Sequence, residues 1–263
     1  MARTPDGPPP PPAVQRLRVR YAKRDRLRFS SHRDFQRALE RALRRAGVPM
    51  AYSAGFSPHP KISYANSVPT GAASEAEYVE ISLTRRLEPE AVRAALDTAL
   101  PPGLDVVEVV EAGPGALADR LTGSVWRVEL PGADGTDVRR AVADFLALDA
   151  APVERLLKNG RRTLDARAAV VSLEVAGAGP GAADGDPATV GTVPLHLVLR
   201  HLTPSVRPED VLSALCGLPR PLEMPQPARS LRLAQGALDD VTATVGDPLE
   251  ADRPLQASAD WAR

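Results

Sequence analysis

The chain reads as an α+β protein of two tandem ferredoxin-like (βαββαβ) halves packed together, with disordered tails. Three observations predict this. Strand-like and helix-like segments follow the order β-α-β-β-α-β between Gln15 and Val110. The same order restarts, more loosely, after Gly113. Both ends of the chain lack any hydrophobic period. The predicted boundaries are a Pro-rich tail over 1–13, a first half over 14–112, a second half over 113–236 with a disordered insert near 177–190, and a tail over 237–263.

From Gln15 to Ala22, Leu17, Val19 and Tyr21 alternate with Arg16, Arg18 and Arg20, which predicts a half-buried strand with arginines outward. The basic turn KRDRLR follows. Ser30 or Ser31 offers a hydroxyl to cap a helix that ends at Gly47, before Pro49. Phe35, Leu39, Ala42, Leu43 and Ala46 form its apolar stripe. Arg33, Arg37, Arg41 and Arg44 make a row on another face, with Glu40 spaced to pair with Arg44. Met50–Pro60 reads as irregular or a short strand ending in a turn. Lys61–Asn66 and Tyr78–Leu83 are strands, Pro89 opens a helix to Leu100, and Asp105–Val110 is a strand. In the second half, Ser124–Leu130 is a strand and Thr136–Leu148 a helix. Val153–Lys158 and Thr163–Val175 are strand, turning at Asn159-Gly160. Gly177–Ala188 is low in complexity. Val193–Arg200 is a strand, Pro208–Leu215 a helix and Arg229–Ala234 a last strand, after which Asp and Pro predict disorder.

Composition narrows the function classes. No apolar run is long enough for a membrane helix, and the proline-rich start is not a secretory signal. One cysteine, Cys216, excludes an internal disulfide and an iron–sulfur cluster, so a cytoplasmic setting is expected, with no membrane partner. Net charge is zero, yet Val14–Arg86 holds 15 basic and 6 acidic residues, a local excess of +9. Charge polarity of this kind points to an anionic partner, with RNA the leading class. Codon bias explains why the positives are arginine, but not why they cluster.

The aromatics cluster in the same region. Tyr21, Phe29, Tyr52, Phe56, Tyr64 and Tyr78 lie here, where rings serve either as core or as stacking faces for unpaired bases. The candidate nucleic-acid-binding residues are Arg28, Arg33, Arg37, Arg41, Arg45, Tyr52, His59 and Lys61, near a helix N-terminus that favours anions. A second chemistry is metal-independent RNA cleavage, with His32 and His59 as acid and base and Lys61 steadying charge. A third, a metal held by His32, Asp34 and His59, fails because H-x-D spacing does not share a helix face. His196 and His201 read as structural. No P-loop, GxGxxG, GxSxG, HExxH or CxxC occurs, so no metal and no cofactor is expected.

The motif S-H-x-D at Ser31, His32 and Asp34, the run A-Y-S-x-G-F-x-P-H-P-K-I-S over 51–63, and the K-x-G-x-R-x-x-D-x-R run over 158–167 carry a resemblance. So do V-R-P-E-D-V-L over 206–212 and R-L-A-Q-G over 232–236. On these residues the chain resembles the bacterial radical-SAM-linked protein family, a domain of unknown function, here without the radical-SAM half. Where relatives often carry an apolar residue, this chain has Arg33. The resemblance implies a separate radical-SAM enzyme or a ribonuclease of the E/G type as partner, and a role in RNA modification or processing. The expected function is a non-catalytic RNA-binding accessory factor. The rivals are the His32/His59 ribonuclease and a protein-docking module.

Overall fold

The computed structural model describes residues 10–157, 160–176 and 191–254. In chain order the elements begin β1 (Gln15–Lys23), α1 (His32–Arg45), β2 (Ile62–Ala65), β3 (Ala73–Leu83), α2 (Pro89–Ala99) and β4 (Leu104–Glu111). They continue with β5 (Gly123–Pro131), α3 (Gly135–Leu146), β6 (Pro152–Leu157), β7 (Gly160–Asp165), α4 (Ala166–Ala169) and β8 (Val170–Val175). The last are β9 (Thr192–Arg200), α5 (Pro208–Cys216), β10 (Arg229–Gly236), β11 (Leu238–Asp239) and β12 (Thr244–Val245). Short 3-10 turns occupy Asp25–Phe29, Leu117–Arg120 and Glu250–Asp252.

The architecture is α+β, with one large mixed sheet ordered β4-β1-β3-β10-β5-β9-β8 and β2 paired to β3. All neighbours are antiparallel except β3 and β10, which run parallel and meet only at Leu231–Ala73 and Arg232–Ser74. The first core packs Leu17, Val19, Val79, Ile81 and Leu83 under Phe35, Leu39 and Leu43 of α1 and Val92 and Leu96 of α2. The second packs Trp126, Val128, Leu130, Leu195 and Leu197 under Phe145 and Leu215, and takes in Val68 and Ala72 from the loop before β3. Side chains alternate across a strand, so Ala76 and Tyr78 point to the opposite face, where Leu117, Leu121 and Leu249 cover them.

Four expectations need correction. Arg18 is not outward: its side chain is fully buried, bonded to Glu80 at 3.1 Å, Asp252 at 2.6 Å and the Gly115 carbonyl at 2.6 Å. The other sheet face is covered, so alternation does not put that residue in water. The stretch expected to be a disordered tail from 237 is ordered to residue 254. There, Asp252 takes hydrogen bonds from Arg18, Arg120 and the Gly113 N–H, and Leu249 is fully buried. Thr163–Val175 is not one strand, because Asp165 caps Arg167 and Ala168 and starts the single turn of α4. Glu40 makes no ion pair with Arg44 among the described residues. The β6–β7 hairpin forms, but the Asn159 turn, the insert over 177–190, and the tails over 1–9 and 255–263 lie outside the described residues.

Candidate nucleic-acid interface

α1 starts at a capping box. The Asp34 N–H donates to the Ser31 hydroxyl at 3.2 Å, and the Ser31 N–H donates back to the Asp34 carboxylate at 3.1 Å. The Ser31 hydroxyl and backbone hold that carboxyl below its usual range. An internal anion therefore sits at the helix end. Charge for an external anion lies along the helix flank instead.

Phe35, Leu39, Ala42 and Leu43 are buried against the sheet, which forces the intervening positions outward. Arg33, Arg37, Arg41 and Arg44 are all exposed, and none makes an ion pair among the described residues. Several other basic residues between Val14 and Arg86 are engaged within the fold. Arg16 pairs with Glu80, Arg24 with Glu75 and Asp105, and Arg86 with Glu111. Arg20 donates to the Glu75 carbonyl at 3.0 Å, and the Lys23 ammonium donates to the Ser30 carbonyl at 2.9 Å. These five of the 15 basic residues between Val14 and Arg86 are thus engaged within the fold. Arg45, at the end of α1, ties the helix to the Ala99 carbonyl at 3.3 Å. Arg28 lies over the exposed Phe29 ring at 4.7 Å, with its Nε buried and without a partner.

The two histidines expected to act together have different partners. The His32 ring meets the Tyr64 ring edge-on at 4.9 Å, with Gln36 Nε2 at 3.0 Å and Ser67 Oγ at 3.3 Å from its nitrogens. The Tyr64 phenol is pushed up to about 12 by burial, and the Glu40 carboxylate adds to this. His59 lies five residues before Tyr64, in the loop that precedes β2. No contact joins His59 to His32. His59 instead closes a loop: the Ser53 N–H donates to its carbonyl at 2.8 Å, and its own N–H donates to Ser53 Oγ at 3.0 Å. Tyr52 pairs across that loop with Pro60, and the Lys61 N–H donates to the Ala51 carbonyl at 2.7 Å. Tyr52, His59 and Lys61 are therefore grouped on one loop. No cluster of three metal-ligating side chains exists among the described residues.

Sequence reasoning missed the polar network where β3 meets β10. Arg232 is buried, ion-paired to buried Glu77, donates to the Asn66 carbonyl at 2.9 Å and sits 5.5 Å from the Trp126 ring. Glu77 also accepts from the Val68 N–H at 3.1 Å. Burial, with the Glu77 charge behind it, raises the Tyr21 phenol well above its ordinary value, and burial lowers the Lys23 ammonium. His201, read as structural, bonds the Leu121 carbonyl at 2.8 Å and Ser124 Oγ at 2.9 Å and approaches the Asn66 amide at 3.3 Å. Nothing local in the sequence marks these partners, which lie up to 166 residues apart in the chain. A 220 Å³ cleft between β2 and residues 115–118 is walled by the Arg16–Glu80 pair, so charge there is already balanced. No described helix is long and apolar enough to cross a membrane.

A family model described as "Uncharacterized protein conserved in bacteria (DUF2344)" matches residues 16–208. No curated protein matches the chain.

Proposed function

We propose that this chain, which belongs to the uncharacterised bacterial family DUF2344, is a non-catalytic RNA-binding accessory factor that presents RNA to a separate enzyme. One observation carries the reading: the row Arg33, Arg37, Arg41 and Arg44 is exposed and without ion pairs among the described residues, while the β1 arginines are tied up internally. Leaving such a row unpaired gives the fold nothing. It suits a polyanion, whose released counterions supply binding free energy. The partner enzyme in this reading is a radical-SAM enzyme or an E/G-type ribonuclease, and the setting is cytoplasmic. The strand orders β4-β1-β3-β2 and β10-β5-β9-β8 are the same permutation, which supports reading the scaffold as two ferredoxin-like halves.

Fluorescence anisotropy with bulk cellular RNA and tRNA across a salt series tests the reading. The expected result is an affinity that falls steeply with salt, by a log–log slope of about −0.7 to −0.9 per phosphate contacted. Arg37→Glu/Arg41→Glu should abolish binding and leave the thermal midpoint nearly unchanged, since both side chains are in water. No binding by folded wild-type protein would overturn it. The arginine row would then belong to docking on an acidic protein surface, read by co-purification that survives nuclease.

A further inference from the structure

The loop 51–61 exposes apolar surface in an unusual way. Phe56, at its tip, is 70% exposed, and Tyr52, near its base, is 38% exposed. The base is rigid, closed by the Ala51–Lys61 and Ser53–His59 backbone bonds and by the Tyr52–Pro60 pairing. Pro58 and Pro60 restrict the returning limb. The tip turns at Gly55, whose φ of +135° is open only to glycine. Phe56 therefore stands in water at the tip of a loop with a closed base. No carboxylate occurs between Ala51 and Lys61, while His59 and Lys61 are both exposed.

We infer that this loop is where unpaired bases of single-stranded RNA stack, with Phe56 and Tyr52 supplying the ring faces and Lys61 a phosphate contact. The inference rests on the RNA-binding reading above and narrows its substrate class. Every base has a π-face, so stacking tolerates any sequence, but a base within a duplex is already stacked on its neighbours. A ring on a protruding loop thus discriminates by strandedness. The absence of acidic residues in the loop favours a phosphate-bearing strand over an apolar pocket on a protein.

The test pairs two variants with two probes: an unstructured oligo(U) strand, and the same strand annealed to oligo(A). Phe56→Trp places a reporter at the tip, and the emission it adds to that of the wild-type protein should be quenched by oligo(U) and little changed by the duplex. Phe56→Ala should weaken oligo(U) binding roughly 5- to 150-fold, the range for losing one stacked base, and leave duplex affinity unchanged. If Phe56→Ala binds oligo(U) like wild type, or if the Trp emission is unchanged while anisotropy reports a bound strand, stacking here is overturned and RNA binding stands. If wild-type protein binds neither probe, both readings fall.

Discussion

Arg232 is a guanidinium removed from water, and its surroundings define what a single residue does here. It reaches Glu77, the Asn66 carbonyl and Ser74 and sits against Trp126, so one side chain ties β10 to β3, β5 and the loop before β3. A buried pair is costly to form and costlier to break, because the survivor keeps its charge without a partner. Arg232→Met should destabilise the protein by roughly 3–5 kcal/mol, and Arg232→Met/Glu77→Met by distinctly less, as read from urea midpoints. Equal losses in the single and double variants would mean the pair carries no such strain. His201 gives a pH prediction at the same scale. Burial lowers its pKa, and the Arg232 charge pushes the same way, against the opposing bond to the Leu121 carbonyl. A base with a lowered folded pKa contributes stability that is full above its unfolded value, about 6.5, and lost as pH falls through the folded value. Urea midpoints should therefore drop on acidification below about pH 6.5, and His201→Gln should flatten that drop. None of these partnerships was legible in the sequence. Arg18 and Arg232 each sit in a strand, where alternation predicts a face but not what covers it.

At the scale of elements, α1 was fully legible, because its signals are local. A capping serine, an acid three residues on, a 3.6-residue apolar period and a terminal glycine all fall within one short stretch. Ser31→Ala should cost about 1 kcal/mol through loss of the cap, measured by thermal or urea unfolding. It should leave RNA affinity nearly unchanged, because the binding charge lies on the flank of the helix. The histidine pairing rested on no local signal. His32 opens α1 and His59 sits in the loop before β2, so whether they meet depends on how that loop packs against the helix. α4 escaped notice because four residues carry no period, and only the Asp165 cap marks it.

The whole molecule is held by one sheet and fastened by its C-terminal stretch. Asp252 is fully enclosed between Arg18 and Arg120. Burial would raise its carboxyl pKa, but the bonds from Arg18, Arg120 and the Gly113 N–H hold it below the usual range. Deleting residues 237–263 should cost at least about 3 kcal/mol, since it leaves buried Arg18 with Glu80 as its one carboxylate partner among the described residues and uncovers the face that Leu249 seals. Unfolding followed by far-UV circular dichroism and by tryptophan fluorescence should give one coincident transition, since Trp126 stands beside the Arg232 tie. Two separated transitions would show that the sheet on either side of the β3–β10 contact melts independently. The polar composition of 237–254 hid all this, because its value lies in partners as far as 234 positions away. The position of β10 has a consequence for synthesis. The strand made after all the others of the large sheet lies in the sheet's interior, between β3 and β5. A ribosome releases residues in order, so the emerging chain waits with two open strand edges until Gly236 is out. Nascent chains halted before Arg229 should therefore be the ones that chaperones hold and proteases cut.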